Sequence, residues 1–181
     1  MKISVFLSYP KPCFGKQKEF IEKATQFLKN RGFEPRTLGV TDYDMDAPLK
    51  AIRRLMLECN GLVTIAFRRT FVEKGTARFR TDIHSMKEQS IDGIWFTTPW
   101  SHIEAAMAYQ IGLPTLILRE KGVLDDGMLE RGVVGLYMPE FDLTQSIGDY
   151  FATDEWNDMI GRWEGYARVV ADRKGTPPQL F

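Results

Sequence analysis

Glu104 is the residue with the most chemistry to offer. It closes the run Thr98–Pro99–Trp100–Ser101–His102–Ile103–Glu104, where a helical pattern of apolar residues opens. Trp100 lies four residues earlier, so on a helix the two side chains share a face. A carboxylate beside an indole loses hydration, which raises its pKa and its basicity. Such a group stabilises, or attacks, the sugar cation that forms when a glycosidic bond breaks. The same run also spells a helix start. Ser101-x-x-Glu104 is a capping box in which Glu104 reaches back to the Ser101 amide. Thr98 as N-cap, with Pro99 in the first helical position, is a competing start that frees Glu104 to point elsewhere. Spacing alone does not choose between them.

Other candidate residues sit at the ends of apolar runs. Ser8 and Tyr9 end the first run, and Tyr9 suits either stacking on a base or ribose or a place at the core edge. Arg68 and Arg69 directly follow the run Leu62–Phe67. They open a basic stretch, Arg68–Arg80, that adds Lys74, Arg78 and Arg80 against Glu73 alone. Cations of this kind hold phosphates through charge-assisted hydrogen bonds. Glu104 is therefore the catalytic candidate, and Ser8, Tyr9, Arg68, Arg69, Trp100 and Ser101 are the substrate-binding candidates. No metal or resident cofactor is expected. Cys13 and Cys59 lack metal-ligand spacing, and there are two histidines, His84 and His102. Asp42, Asp44 and Asp46 read as a solvated acidic loop, Cys13 as an incidental thiol, and His102 as a surface helix residue.

The elements that must position these residues alternate along the chain. Apolar runs at Ile3–Tyr9, Phe33–Val40, Leu62–Phe67, Pro114–Leu118 and Val133–Met138 read as strands. Residues 16–31, 48–60 and 99–112 carry helical spacing, with Gly32 as a helix stop. A loop with one helical turn is expected over Lys121–Gly132. Residues 146–173 read as mostly helical, with Trp156 and Trp163 on a core-facing or partner-facing stripe. Residues 70–97 have no clean period and read as a long functional or partly helical insertion. The tail, 174–181, reads as frayed. Strand–helix alternation predicts one α/β domain over residues 1–173, with a doubly wound parallel sheet and helices on both faces. Ligands in such sheets bind beyond the carboxyl ends of the strands, where the strand order reverses.

Composition closes off several functions. The chain has 181 residues, 44% hydrophobic and 27% charged, which suits one ordered domain. Its 24 Lys and Arg balance its 24 Asp and Glu, so overall charge gives no reason for a nucleic acid or a membrane surface as partner. The apolar start is too short for a signal peptide, and the expectation is a reduced, cytoplasmic protein. A G-x-G-x-x-G turn, a P-loop and a G-x-S-x-G elbow are all missing, against a Rossmann dehydrogenase, a P-loop NTPase and an ordinary α/β hydrolase. Ser8 and Tyr9 stand where a response-regulator receiver carries paired acids.

Two motifs resemble those of TIR domains. Ile3–Tyr9 (ISVFLSY) is similar to the opening strand of that family, which reads like DVFISY. Thr98–Glu104 resembles the TIR motif S-x-W-C-x-x-E, and Ala105–Leu118 (AAMAYQIGLPTLIL) continues from helix to strand through G-x-P. The resemblance covers roughly Lys2 to Phe141. It implies a flavodoxin-like five-stranded sheet in the order 2-1-3-4-5. It also implies cleavage of the nicotinamide–ribose bond of NAD as substrate, to a linear or cyclic ADP-ribose product. Glu104 would be the catalytic glutamate, with Trp100 its neighbour and Tyr9 bordering the nucleotide. Family members often act in bacterial antiphage defence, self-associate or work with an effector protein, and some only scaffold. Ser101 replaces the motif cysteine, the aspartate before the first strand is missing, and residues 70–97 and the long C-terminal helix are additional. The nucleoside 2-deoxyribosyltransferases are a second resemblance, through Phe6–Pro10 (FLSYP) and a glutamate on the equivalent helix. Those enzymes usually carry an aspartate shortly before it, which this sequence lacks. Both families break N-glycosidic bonds, and nucleoside monophosphates are the alternative substrates.

Overall fold

The computed structural model describes residues 3–133 and 140–173. Strand β1 (Ile3–Ser8) leads into helix α1 (Gly15–Asn30) and strand β2 (Phe33–Arg36). Helix α2 (Pro48–Glu58) and strand β3 (Leu62–Ala66) follow. After an excursion over residues 70–96 come helix α3 (Pro99–Gln110), strand β8 (Thr115–Glu120) and strand β9 (Glu140–Phe141). Helices α4 (Ile147–Ala152) and α5 (Asp154–Asp172) end the described chain. The main sheet runs β2-β1-β3-β8-β9, and every pairing in it is parallel. This is the 2-1-3-4-5 order of a flavodoxin-like, three-layer α/β fold. The chain steps from β1 outward to β2, then crosses back to β3 on the other side. The switch in strand order therefore lies between β1 and β3.

Period-two alternation splits the core between the two sheet faces. Val5, Leu7, Val63, Ile65, Leu116 and Leu118 face α1, α4 and α5, which contribute Phe20, Leu28, Ile147, Trp156, Ile160 and Trp163. Phe6, Leu62, Ala66 and Ile117 face α2 and α3, which contribute Ile52, Leu55, Met56, Ala105 and Ala108. Gly32 ends α1 with φ +86°, a conformation that a side chain would strain. Trp156 and Trp163 are core residues, as their spacing suggests.

Several elements differ from expectation. Residues 70–97 are not partly helical: short strands joined by turns and irregular chain build an antiparallel arm. Strand β4 (Thr70–Val72) pairs with β7 (Ile94–Phe96), and farther out β5 (Thr76–Ala77) pairs with β6 (Gln89–Ser90). Both faces of this ribbon are largely solvent-facing, so no alternating pattern is imposed on its sequence. The C-terminal segment is two helices, because Thr153 leaves helical geometry and caps α5 by accepting the Trp156 amide at 3.2 Å. The helical turn expected in Lys121–Gly132 is a 3-10 turn at Gly127–Leu129. The fifth strand expected at 133–138 falls mainly outside the described residues. The strand described at that edge of the sheet is β9. The tail from 174 onward also lies outside them. Among the described residues, no helix is long and apolar enough to cross a membrane.

Candidate active site

Helix α3 starts at Thr98, with Pro99 in its first turn, and no side chain caps it. The capping-box alternative is therefore not the one the fold adopts. Freed from that duty, the Glu104 side chain turns toward the sheet. Four of the twelve residues of α3 are buried: Ser101, Glu104, Ala105 and Ala108. The two alanines let the helix approach the sheet closely, and Glu104 is carried down with them.

Glu104 meets Ser8 at the carboxyl end of β1. The Ser8 hydroxyl donates to Glu104 Oε2 across 96 residues of sequence. Ser8 shares the face of Phe6, the face that α3 covers. The pair thus lies where β1 and β3 part, at the switch in strand order. Glu104 is only 9% exposed. Burial pushes its carboxyl up to about 7, and the Ser8 hydrogen bond opposes that rise. At neutral pH the group is poised between acid and base. Ser101 is buried one turn earlier, its hydroxyl 3.4 Å from that of Thr97. Trp100 is exposed, on the outer part of the first turn of α3.

The remaining candidates divide around this pair. Tyr9 follows Ser8 but faces the opposite way, half-buried against the core under α1. Burial raises the pKa of its phenol, partly offset by a hydrogen bond with Thr37. Arg68 is engaged through Nε, which donates to the Lys121 carbonyl at 2.6 Å and lies 3.7 Å from Glu120 Oε1. Its guanidinium also lies 5.8 Å from the Trp95 ring centre. Arg69 spans the mouth. Its Nη1 donates to the Lys11 carbonyl at 2.7 Å and reaches the Cys13 sulfur, and its amide donates to the Phe96 carbonyl at 2.9 Å. It ties the loop after β1 to the root of the arm. The structure thus brings Glu104, Ser8 and Ser101 to the α3 side. Arg69 bridges the rim, and Arg68 and Tyr9 serve other contacts.

Two buried polar residues escaped the sequence reading. Gln17 of α1 accepts the Cys13 amide at 2.9 Å and donates to the Arg68 carbonyl at 3.3 Å and to Glu120 at 3.2 Å. Glu120 ends β8 and accepts the Arg68 amide at 2.9 Å. Burial raises its pKa, against the Arg68 and Gln17 hydrogen bonds. Together they brace the three loops that frame the mouth. The signal was present for Gln17, which occupies the apolar stripe of α1 one turn before Phe20 and Ile21. Asp42, Asp44 and Asp46 pair with Arg36, Arg54 and Lys50; Asp46 is solvated as expected, whereas the Asp42 and Asp44 side chains are largely covered by their ion pairs. Among the described residues no cluster of His, Cys, Asp and Glu has metal-binding geometry.

No protein-family model matches the sequence, and no characterised protein matches it as a relative. Several solved structures are similar in fold, among them the following two. A CMP N-glycosidase of Clostridium botulinum, BcmB, superposes with a TM-score of 0.46 at 15% identity, over 83% of this chain and 99% of that one. The TIR domains of the activated Roq1 resistosome that directly recognises the pathogen effector XopQ superpose with a TM-score of 0.40 at 13% identity. That match covers 94% of this chain and 84% of theirs.

Proposed function

We propose that this chain is a nucleotide N-glycosidase in which Glu104 is the catalytic carboxylate. The observation that carries the reading is a buried glutamate at the strand-order switch, held by Ser8 and titrating at about 7. A desolvated carboxylate there stabilises the sugar cation electrostatically, or forms a bond to C1′ that water then breaks. Either route breaks the bond between C1′ and the base and delivers water to C1′. Ser8 orients the carboxylate. Arg69 and Lys11, neither with a carboxylate partner among the described residues, supply positive charge at the rim for phosphate.

NAD is the substrate this reading favours. Its nicotinamide departs as a neutral base and needs no proton from an acid. The two buried carboxylates at this end of the sheet lie on opposite faces, Glu104 under α3 and Glu120 under α1, so a sugar held against Glu104 meets a single acid. The resemblance of Thr98–Glu104 to the TIR motif points the same way, and brings with it a signalling or antiphage role and activity that depends on self-association. The near-neutral titration of Glu104 supports a second reading. Its protonated form suits the departing base of a nucleoside monophosphate, which must gain a proton.

Base release separates these possibilities. Purified protein is incubated with NAD and with a panel of nucleoside monophosphates and nucleosides, at low and high protein concentration, beside Glu104→Gln. Nicotinamide release lost by at least roughly a hundredfold in the variant is the expected result. Release from monophosphates with NAD untouched selects the second reading. Equal inertness of both proteins toward the whole panel removes the enzyme and leaves a scaffolding module.

A further inference from the structure

Among the described residues three buried side-chain polar atoms lack a hydrogen-bond partner, Asn60 Oδ1, Trp156 Nε1 and Thr64 Oγ1, and the Thr64 hydroxyl is the one in register with Ser8. Thr64 is wholly buried in the middle of β3, and its Oγ1 has no hydrogen-bond partner. Leu62 and Ala66 on either side of it face α2 and α3, so alternation places Thr64 on that same face. Its partner in the parallel register with β1 is Ser8. Neighbouring strands run about 4.8 Å apart, so the two hydroxyls are lateral neighbours beneath α3. Valine has the same shape, suits a strand at least as well, and leaves no orphaned donor. Nothing in the packing of β3 calls for a hydroxyl there.

We propose that Thr64 is a positioning residue for Glu104: when Glu104 ionises, the Thr64 hydroxyl donates to Ser8 Oγ and completes a donor chain, Thr64 to Ser8 to Glu104. This rests on the reading of Glu104 as the working carboxylate. Ser8 spends its single proton on Glu104 and retains lone pairs to accept another. A second hydroxyl donating into it polarises its O–H bond and strengthens its hold on a carboxylate more than on a carboxylic acid. No ionisable residue of β3 faces Glu104. On the other elements packed against α3, Arg119 of β8 is held by Asp125 and Glu140, and Asp126 before the 3-10 turn lies 4.0 Å from His102. Lys50, Arg54 and Glu58 of α2 pair with Asp46, Asp44 and Arg36, while Arg53 of α2 is exposed and Cys59 follows that helix, buried. Burial and Ser8 are what set the Glu104 titration, so the hydroxyl chain is the contact able to tune it.

The test compares Thr64→Val and Thr64→Ser with the wild type in three readouts. These are thermal stability, the Glu104 carboxyl titration followed by its side-chain carbon NMR shift, and the pH profile of base release. Thr64→Val should melt at a higher temperature, yet its Glu104 should titrate higher by roughly half a pH unit or more. The acidic limb of its rate profile should move up by the same amount, with kcat down about tenfold and KM little changed. Thr64→Ser should restore titration and rate. An unchanged Glu104 titration in Thr64→Val, or a folded Thr64→Ser that behaves like valine, overturns the proposal. The NMR titration needs no turnover. If the wild type releases no base, the glycosidase reading fails on its own while the hydroxyl chain is still decided.

Discussion

Burial of Glu104 under α3 has a consequence for stability that is separate from chemistry. Free glutamate titrates near 4.5 and Glu104 at about 7. Between those values the folded chain holds a proton that the unfolded chain has released. Stability from this group is therefore complete below about 4.5 and is lost as pH rises through about 7. Glu104→Gln has no such titration. Its stability relative to wild type should grow between pH 5 and pH 8 by on the order of 3 kcal/mol. Denaturant unfolding of both proteins at the two pH values measures the difference, and parallel behaviour would show that Glu104 is not desolvated. At this scale the sequence was half legible. The Trp100–Glu104 spacing marked a helix entrance that the fold does build, but the two helix starts were indistinguishable without a partner for Glu104. That partner, Ser8, belongs to another element, and no local pattern links them. Gln17 was legible as a polar residue on an apolar stripe. Thr64 was not, because a threonine within a strand run is unexceptional until its hydroxyl is seen to lack a partner.

The arm of residues 70–96 is an element whose inner and outer parts differ. Its root is anchored: Trp95 pairs with Val123, packs against Phe71 at 4.8 Å between ring centres and takes the Arg68 guanidinium over its face. Its outer part carries Phe79, Ile83 and Met86 exposed to solvent, and Arg78 and Arg80 hold positive φ, a strained backbone for residues with a Cβ. Replacing residues 74–92 with a two-residue Asn-Gly turn should keep the β4–β7 ladder, in which Val72 pairs with Ile94, and shift the melting temperature by only a few degrees. Loss of cooperative unfolding would instead show that the outer arm belongs to the core. Helices were legible wherever one face met the sheet, since burial imposes the 3.6-residue period. The arm was not, because a two-stranded ribbon with both faces largely in water imposes no period. The break at Thr153 was hidden for a related reason: the apolar stripe continues across it, and only the cap geometry divides α4 from α5.

At the scale of the whole molecule, the five-stranded sheet is sealed on both faces, and α5 closes one of them. Trp163 is completely buried and donates its indole N–H to the Pro114 carbonyl at 3.0 Å. Gly61 allows this approach, since a Cβ there would lie 2.9 Å from the indole ring. Trp163→Ala should cost about 3–5 kcal/mol, measured by chemical denaturation. A cost below about 1 kcal/mol would mean that α5 merely rests on the surface. The amino-acid sequence by itself determined the α/β class, the parallel sheet, the helix starting at Thr98 and Pro99 as one of two readings, and the glutamate worth testing. Each of these is written in local periodicity and in the types of neighbouring residues. Tertiary structure alone decided where Glu104 points, that Ser8 and not the Ser101 amide receives it, and that Thr64 lies beside Ser8 with an unspent hydroxyl. Those facts depend on the register of β1 against β3 and on the seating of α3 above them, contacts between residues far apart in the chain that no short-range pattern encodes.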